Sequence, residues 1–126
     1  MALSGRPQVE EIDARGVAPV IIKDPANGGT IDTTRSGICL LSSAGAAETR
    51  SLPDPQFIGQ QIDLVHIVDN GDIVITAVSP INQTGNTILT ATAVGGFARL
   101  VGKHNATDGW EWQLIVADTG MAASGP

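Results

Sequence analysis

The chain has 126 residues, with thirteen acidic side chains against seven basic ones and a net charge of −6. That length suits one domain. The acidic balance, with its seven cations scattered, argues against a nucleic-acid partner, which needs Lys and Arg massed to displace counterions. Hydrophobic residues make up 42% of the chain, which excludes a disordered protein, but with two Phe, two Trp and no Tyr the core must be built from Ile, Val, Leu and Ala.

Fifteen Gly and seven Pro, with frequent Thr, favour strands joined by tight turns over a helical bundle. A single cysteine, Cys39, gives no intramolecular disulfide. No apolar run approaches the ~20 residues that cross a bilayer. The opening residues lack the apolar stretch of a signal peptide, so the expectation is synthesis in the cytoplasm and no membrane partner.

Residues 1–36 differ from the rest. Pro7, Pro19 and Pro25 punctuate them, and Val20-Ile21-Ile22 suits an extended strand. Two readings stay open: an N-terminal arm lying along another molecule, or a terminus that orders on its own core. A β domain is expected over 37–118. Within it, Ile38–Leu41 reads as a short apolar strand, Glu48–Leu52 alternates up to the breaker Pro53-Asp54-Pro55, and Phe57-Ile58-Gly59 reads as a turn that anchors a ring in the core.

Ile62, Leu64, His66 and Val68 then share one strand face, with Asp63, Val65 and Ile67 on the other. Asn70-Gly71 follows, and Ile73–Val78 resumes the pattern, which predicts a tight type I′ hairpin. Further strands are expected at Thr87–Thr92 and Phe97–Val101. A polar hairpin loop at His104–Gly109 leads into Trp110–Val116, in which Trp110, Trp112, Leu114 and Val116 share a face. The tail, 119–126, reads as small and polar enough to fray. Seven or eight short strands at regular spacing predict an all-β fold: a single small antiparallel β-sandwich, jelly roll or partly closed barrel.

Catalytic chemistry is not legible. His66 lies among Ile, Leu and Val and reads as a satisfied core or interface histidine. His104 reads as solvated beside Asn105, and two histidines with one cysteine make no zinc spacing. Asp69 and Asp72 flank Asn70-Gly71, where turn chemistry explains them better than calcium, even with Asp63 across the strand. Asn82-Gln83-Thr84 and Asn105-Ala106-Thr107 fit the glycosylation acceptor pattern but lie in loops where such residues serve turns. Trp110 and Trp112 are core rings on this spacing, or a sugar-stacking platform if exposed. No catalytic residue, metal ligand or cofactor is assigned.

From Gly37 to Ala122 the chain runs through Ala44-Gly45-Ala46-Ala47-Glu48-Thr49-Arg50-Ser51-Leu52-Pro53, Gly59-Gln60-Gln61-Ile62-Asp63-Leu64, an Asn-Gly turn, Ile73-Val74-Ile75-Thr76, Gly96-Phe97-Ala98-Arg99-Leu100-Val101-Gly102 and Gly109-Trp110-Glu111-Trp112-Gln113-Leu114. This texture resembles the small β domains of bacteriophage virion proteins, above all capsid decoration (cement) proteins and the β modules of head or tail fibres. The resemblance implies a non-enzymatic virion protein on the capsid exterior. It would be a homo-oligomer, with a homotrimer favoured, seated on the major capsid protein lattice, and the alternative is a receptor- or glycan-binding fibre module. The contact residues expected on this reading are Val17, Val20, Ile21 and Ile22 of the arm, and removal of residues 1–28 is expected to leave the β core folded.

Overall fold

The computed structural model describes residues 20–82 and 85–125. Their strands are β1 (Ile21–Ile22), β2 (Gly29–Thr30), β3 (Gly37–Ser42), β4 (Glu48–Leu52), β5 (Gln61–Val68), β6 (Ile73–Ala77), β7 (Ile88–Ala91), β8 (Phe97–Asn105), β9 (Gly109–Ala117) and β10 (Met121–Ser124). Side chains alternate across a strand, and alternation in burial follows: β4 reads buried-exposed-buried-exposed-buried. Two five-stranded sheets result, in the orders β1-β3-β5-β8-β9 and β10-β7-β6-β4-β2. They pack face to face as an open sandwich over a core of Ile22, Leu41, Leu52, Leu64, Ile75, Leu100 and Trp112 with their neighbours.

The chain changes sheet with nearly every strand in its first half. β1, β3 and β5 lie parallel in the first sheet, and β2, β4 and β6 lie parallel in the second. The six strands are therefore stacked coils, each with one strand per sheet, and the fold is mixed rather than purely antiparallel. Residues of β3 and β4 sit on those 25 positions later (38 on 63, 48 on 73). The remaining strands add antiparallel: β8 and β9 extend the first sheet, β7 and β10 the second.

This arrangement overturns the predicted hairpin. β5 and β6 are in different sheets and do not pair. Neither Asn70 nor Gly71 adopts the positive φ that a type I′ turn requires. The segment 69–72 instead lies on the preceding crossover, 43–47. The Asn70 N–H donates to Ser43 Oγ at 2.8 Å, its Nδ2 donates to the Ser43 carbonyl at 3.1 Å, and the Glu48 N–H donates to the Asp72 carbonyl at 2.8 Å. Gly71 is needed for closeness: a Cβ there would stand 1.8 Å from the Gly45 carbonyl oxygen. Stacking crossover on crossover satisfies backbone groups that an isolated turn would leave to water, and it outweighs the local preference.

Three further expectations change. Phe57 and Ile58 are exposed, so the turn at Gly59 anchors no ring. A bulge between Leu41 and Ser42 shifts the register, and Val68 turns outward while Ile62, Leu64 and His66 face the core. The described tail does not fray: β10 pairs with β7, and Met121 is buried.

One buried cation ties the coils together. Arg50 points inward from β4 with 1% of its surface exposed. Its Nε donates to Asp24 Oδ1 at 2.8 Å, and its Nη2 reaches Asp24 Oδ2 at 3.2 Å, Glu48 Oε1 at 3.0 Å and the Ser42 carbonyl at 3.1 Å. The other guanidinium nitrogen donates to the Thr49 carbonyl at 3.1 Å. Asp24 also accepts the Ser42 and Ala26 N–H groups, and Glu48 accepts that of Ala44. Burial opposes ionisation of Asp24, but the hydrogen bond from Arg50, those two N–H groups and the guanidinium charge outweigh it and hold the carboxyl below its ordinary range.

The segment from Val20 is thus the first coil of the fold, and removal of residues 1–28 takes Ile22 and Asp24 out of it. Replacing Asp24 with Ala strands part of a buried guanidinium and is expected to cost about 3 kcal/mol, read from urea unfolding. Because the folded carboxyl is depressed, its stabilisation is full above the ordinary Asp range, near about pH 4, and is lost as pH falls through the folded value. The Asp24→Ala variant should lose less stability on acidification than the parent. Gly71→Ala, which drives a methyl into backbone, should cost about 2 kcal/mol with an unchanged denaturant slope.

Candidate interaction surface

The two outer faces of the sandwich differ in chemistry. On the second sheet one outward row runs Ser124, Ile88, Thr76, Ser51 and Thr30, and the next runs Ala122, Thr90, Val74 and Thr49. Hydroxyls dominate it, as suits a sheet facing water on one side. On the first sheet the corresponding rows are Ile21, Ile38, Asp63, Arg99 and Val116, then Leu40, Val65 and Phe97, then Gln61, Val101 and Gln113. Ile21 and Val116 are 58% and 46% exposed, Ile67 extends the β5 row, and Ile38, Leu40, Val65, Phe97 and Val101 are half-buried. This sheet is apolar on both faces.

The polar groups of that face are paired within it. Arg99 Nε and Nη2 donate to the two Asp63 oxygens at 2.9 and 3.1 Å, and the guanidinium lies 5.6 Å from the Phe97 ring centroid. Asp63 is buried beneath it, while two-fifths of the Arg99 side chain stays exposed. The hydrogen bonds that Arg99 donates to Asp63, reinforced by the carboxylate charge, push the Arg99 pKa up. One row further along, Lys103 Nζ stands 3.5 Å from Glu111 and donates to Gln113 at 3.0 Å.

The residues singled out in the sequence fall as follows. Val17 lies outside the described residues. Val20 and Ile21 are exposed on and beside the β1 edge, and Ile22 is consumed by the chain's own core. Trp112 is a core ring whose Nε1 donates to the Pro53 carbonyl at 2.7 Å. Trp110, one-third exposed, packs against His104 with centroids 4.7 Å apart. A shared tryptophan platform does not form. The predicted common face of Trp110, Trp112, Leu114 and Val116 also breaks, because a bulge between Arg99 and Leu100 turns Val116 outward.

Asp63 and His66 lie on opposite faces of β5. Asp63 is held by Arg99, and no three His, Cys, Asp or Glu gather as a metal site among the described residues. Asn105 serves the β8–β9 turn, its side-chain oxygen accepting the Thr107 and Asp108 N–H groups. Cys39 is buried, and burial pushes its thiol up to about 12, which leaves it unreactive. A polar recess of about 330 Å³ lies between Pro80, Asn82 and Gly85 on one side and Lys103, Asn105, Asp108 and Glu111 on the other.

His66 is the core histidine expected, but not a satisfied one. It is fully buried, yet among the described residues neither ring nitrogen has a hydrogen-bond partner, and Asp69 Oδ1 stands 4.0 Å away. Its backbone is well held, donating to the Gly96 carbonyl and accepting from the Gly95 N–H. An unanswered buried polar ring costs on the order of 1–3 kcal/mol. His66→Leu should therefore keep the fold and raise its stability by about 1 kcal/mol, read as a higher urea midpoint.

Residue composition hinted at the apolar face through Val65 and Ile67, opposite Ile62 and Leu64; the Asp63–Arg99 pair that neutralises it joins residues far apart in sequence and has no local signal. Compared with known proteins, the chain matches no family model and no curated sequence.

Proposed function

We propose that this chain is a non-enzymatic structural protein of a virus particle, a capsid decoration protein that sits on the major capsid lattice as a homo-oligomer, with three copies favoured. The observation that carries the reading is the unlike pair of outer faces. A sandwich of this size needs one buried interior, and this one has an additional apolar sheet face with its charges already paired. Such surface favours assembly over solution life, and in decoration it stabilises the lattice by mass action, because the protein binds the assembled shell. The sequence texture from Gly37 to Ala122 supplies the viral part of the reading.

The alternative, a receptor- or glycan-binding module of a head or tail fibre, calls for two solvent-exposed tryptophans. Trp112 is in the core, which leaves Trp110 alone at the surface, and this reading stands second.

Quantitative mass spectrometry of source particles, with the major coat protein as internal standard, tests the proposal. Copies in fixed lattice-wide ratio to the coat protein are expected, and particles stripped of the chain should lose thermal stability. A handful of copies per particle would move it to a fibre or vertex; absence from every particle would end the viral reading.

A further inference from the structure

We infer that the outer face of the first sheet is the surface through which copies of this chain associate, its occupant being the same face of a second copy. The inference rests on the reading of the chain as an assembling structural protein and departs from it in copy number, because a face that packs on itself closes as a two-fold dimer rather than a trimer. Charge decides the partner. The chain as a whole carries −6, and two such molecules repel. The strands of the first sheet hold four formally charged side chains, Asp63, Arg99, Lys103 and Glu111, which sum to zero and are paired with one another. Apart from one Arg99 nitrogen without an acceptor among the described residues, a strongly basic or acidic partner finds no unpaired charge to recognise there. A second copy of the face meets no net charge.

Size sets the strength of the contact. About seven residues each of β5, β8 and β9, the six of β3 and the two of β1, at about 3.3 Å per residue and about 4.8 Å between strands, give a footprint of roughly 450 Å². Two such faces together bury about 900 Å², the size of a weak, reversible contact rather than a permanent one. The projecting residues, Leu40, Val65, Phe97 and Val101 with Ile38 and Val116, are what a sheet presents to another sheet about 10 Å away. Arg99 bends over Phe97 and brings its third nitrogen, which has no acceptor among the described residues, to the surface at the centre of the face. There it can reach a carbonyl or carboxylate of the opposing copy.

The test uses the full chain in the absence of any particle, by sedimentation velocity and native mass spectrometry. The expected species is a dimer, at twice the 12.9 kDa of one chain. Val65→Lys, at the centre of the face, and Val116→Lys, which is already 46% exposed, should each bring the mass down to one chain with unchanged far-UV circular dichroism. Thr76→Lys, on the outer face of the second sheet, should leave the assembly intact. A monomeric parent chain overturns the inference, and so does assembly that survives both valine variants or is lost in Thr76→Lys. Failure is separable from failure of the decoration reading: a monomer found at lattice copy number sinks this inference alone, whereas face-dependent assembly of a chain missing from particles sinks the other.

Discussion

A guanidinium sealed between two sheets must be answered by everything around it, and Arg50 organises the first half of this fold on that condition. Its five hydrogen bonds to Asp24, Glu48, Ser42 and Thr49 join the crossover of the first coil, 23–28, to that of the second coil, 43–47. The same two Asp24 oxygens also accept the N–H groups of Ala26 and Ser42, and the second Glu48 oxygen accepts that of Ala44, so the turn backbone is fixed by the same charges. A pair of ions buried this well is weak support for net stability, since apolar residues of equal volume often do as well. What it supplies is registry. The first coil carries two very short strands, too little ladder to set its own position, and the ion cluster pins it on the second coil.

The other end of the coils is fixed without charge. Gln60, fully buried, donates through Nε2 to the Thr33 carbonyl at 2.7 Å and accepts the Gln56 N–H at 2.6 Å, which links the crossover 31–36 to the crossover 53–60. Thus each crossover stacks on its neighbour, as each strand does. Parallel neighbours in one sheet require the chain to leave and return, and here the return path is the opposite sheet of the same sandwich. The antiparallel strands β7 to β10 then close the stack on its final side.

How much of this the sequence disclosed depended on how local the cause was. The alternation of Glu48 to Leu52 gave β4 its bounds, and the Asn105–Gly109 turn gave the β8–β9 hairpin, because both are set by nearest neighbours. The Asn70-Gly71 turn failed for the opposite reason: its partners, Ser43 and Gly45, are a coil away, and their hydrogen bonds and close approach override a two-residue preference. Arg50 was invisible as a core residue. In Glu48-Thr49-Arg50-Ser51-Leu52 the inward set is one aliphatic and two charges, and hydropathy alone does not favour that face; only the arrival of Asp24 makes it sensible. The candidate surface was half legible, since β5 is apolar on both sides, but the pairing of Asp63 with Arg99 waits on the β5–β8 register.

The same register explains how an apolar outer face accommodates a carboxylate in a chain of net charge −6. Asp63 sits at the middle of the face, and alone it would forbid burial against another molecule. Bound in two-point geometry by Arg99, which is itself spread over Phe97, it becomes part of a neutral, rather flat patch with its charge already desolvated on one side. Folding has already removed Asp63 from water, while the Arg99 side chain, 42% exposed, has its hydration still to give up in a contact that covers it. A free carboxylate at the same position would set the face against any copy of itself. The ion pair therefore serves the outer face as Asp24 and Glu48 serve Arg50 in the interior, by giving a buried charge its partner.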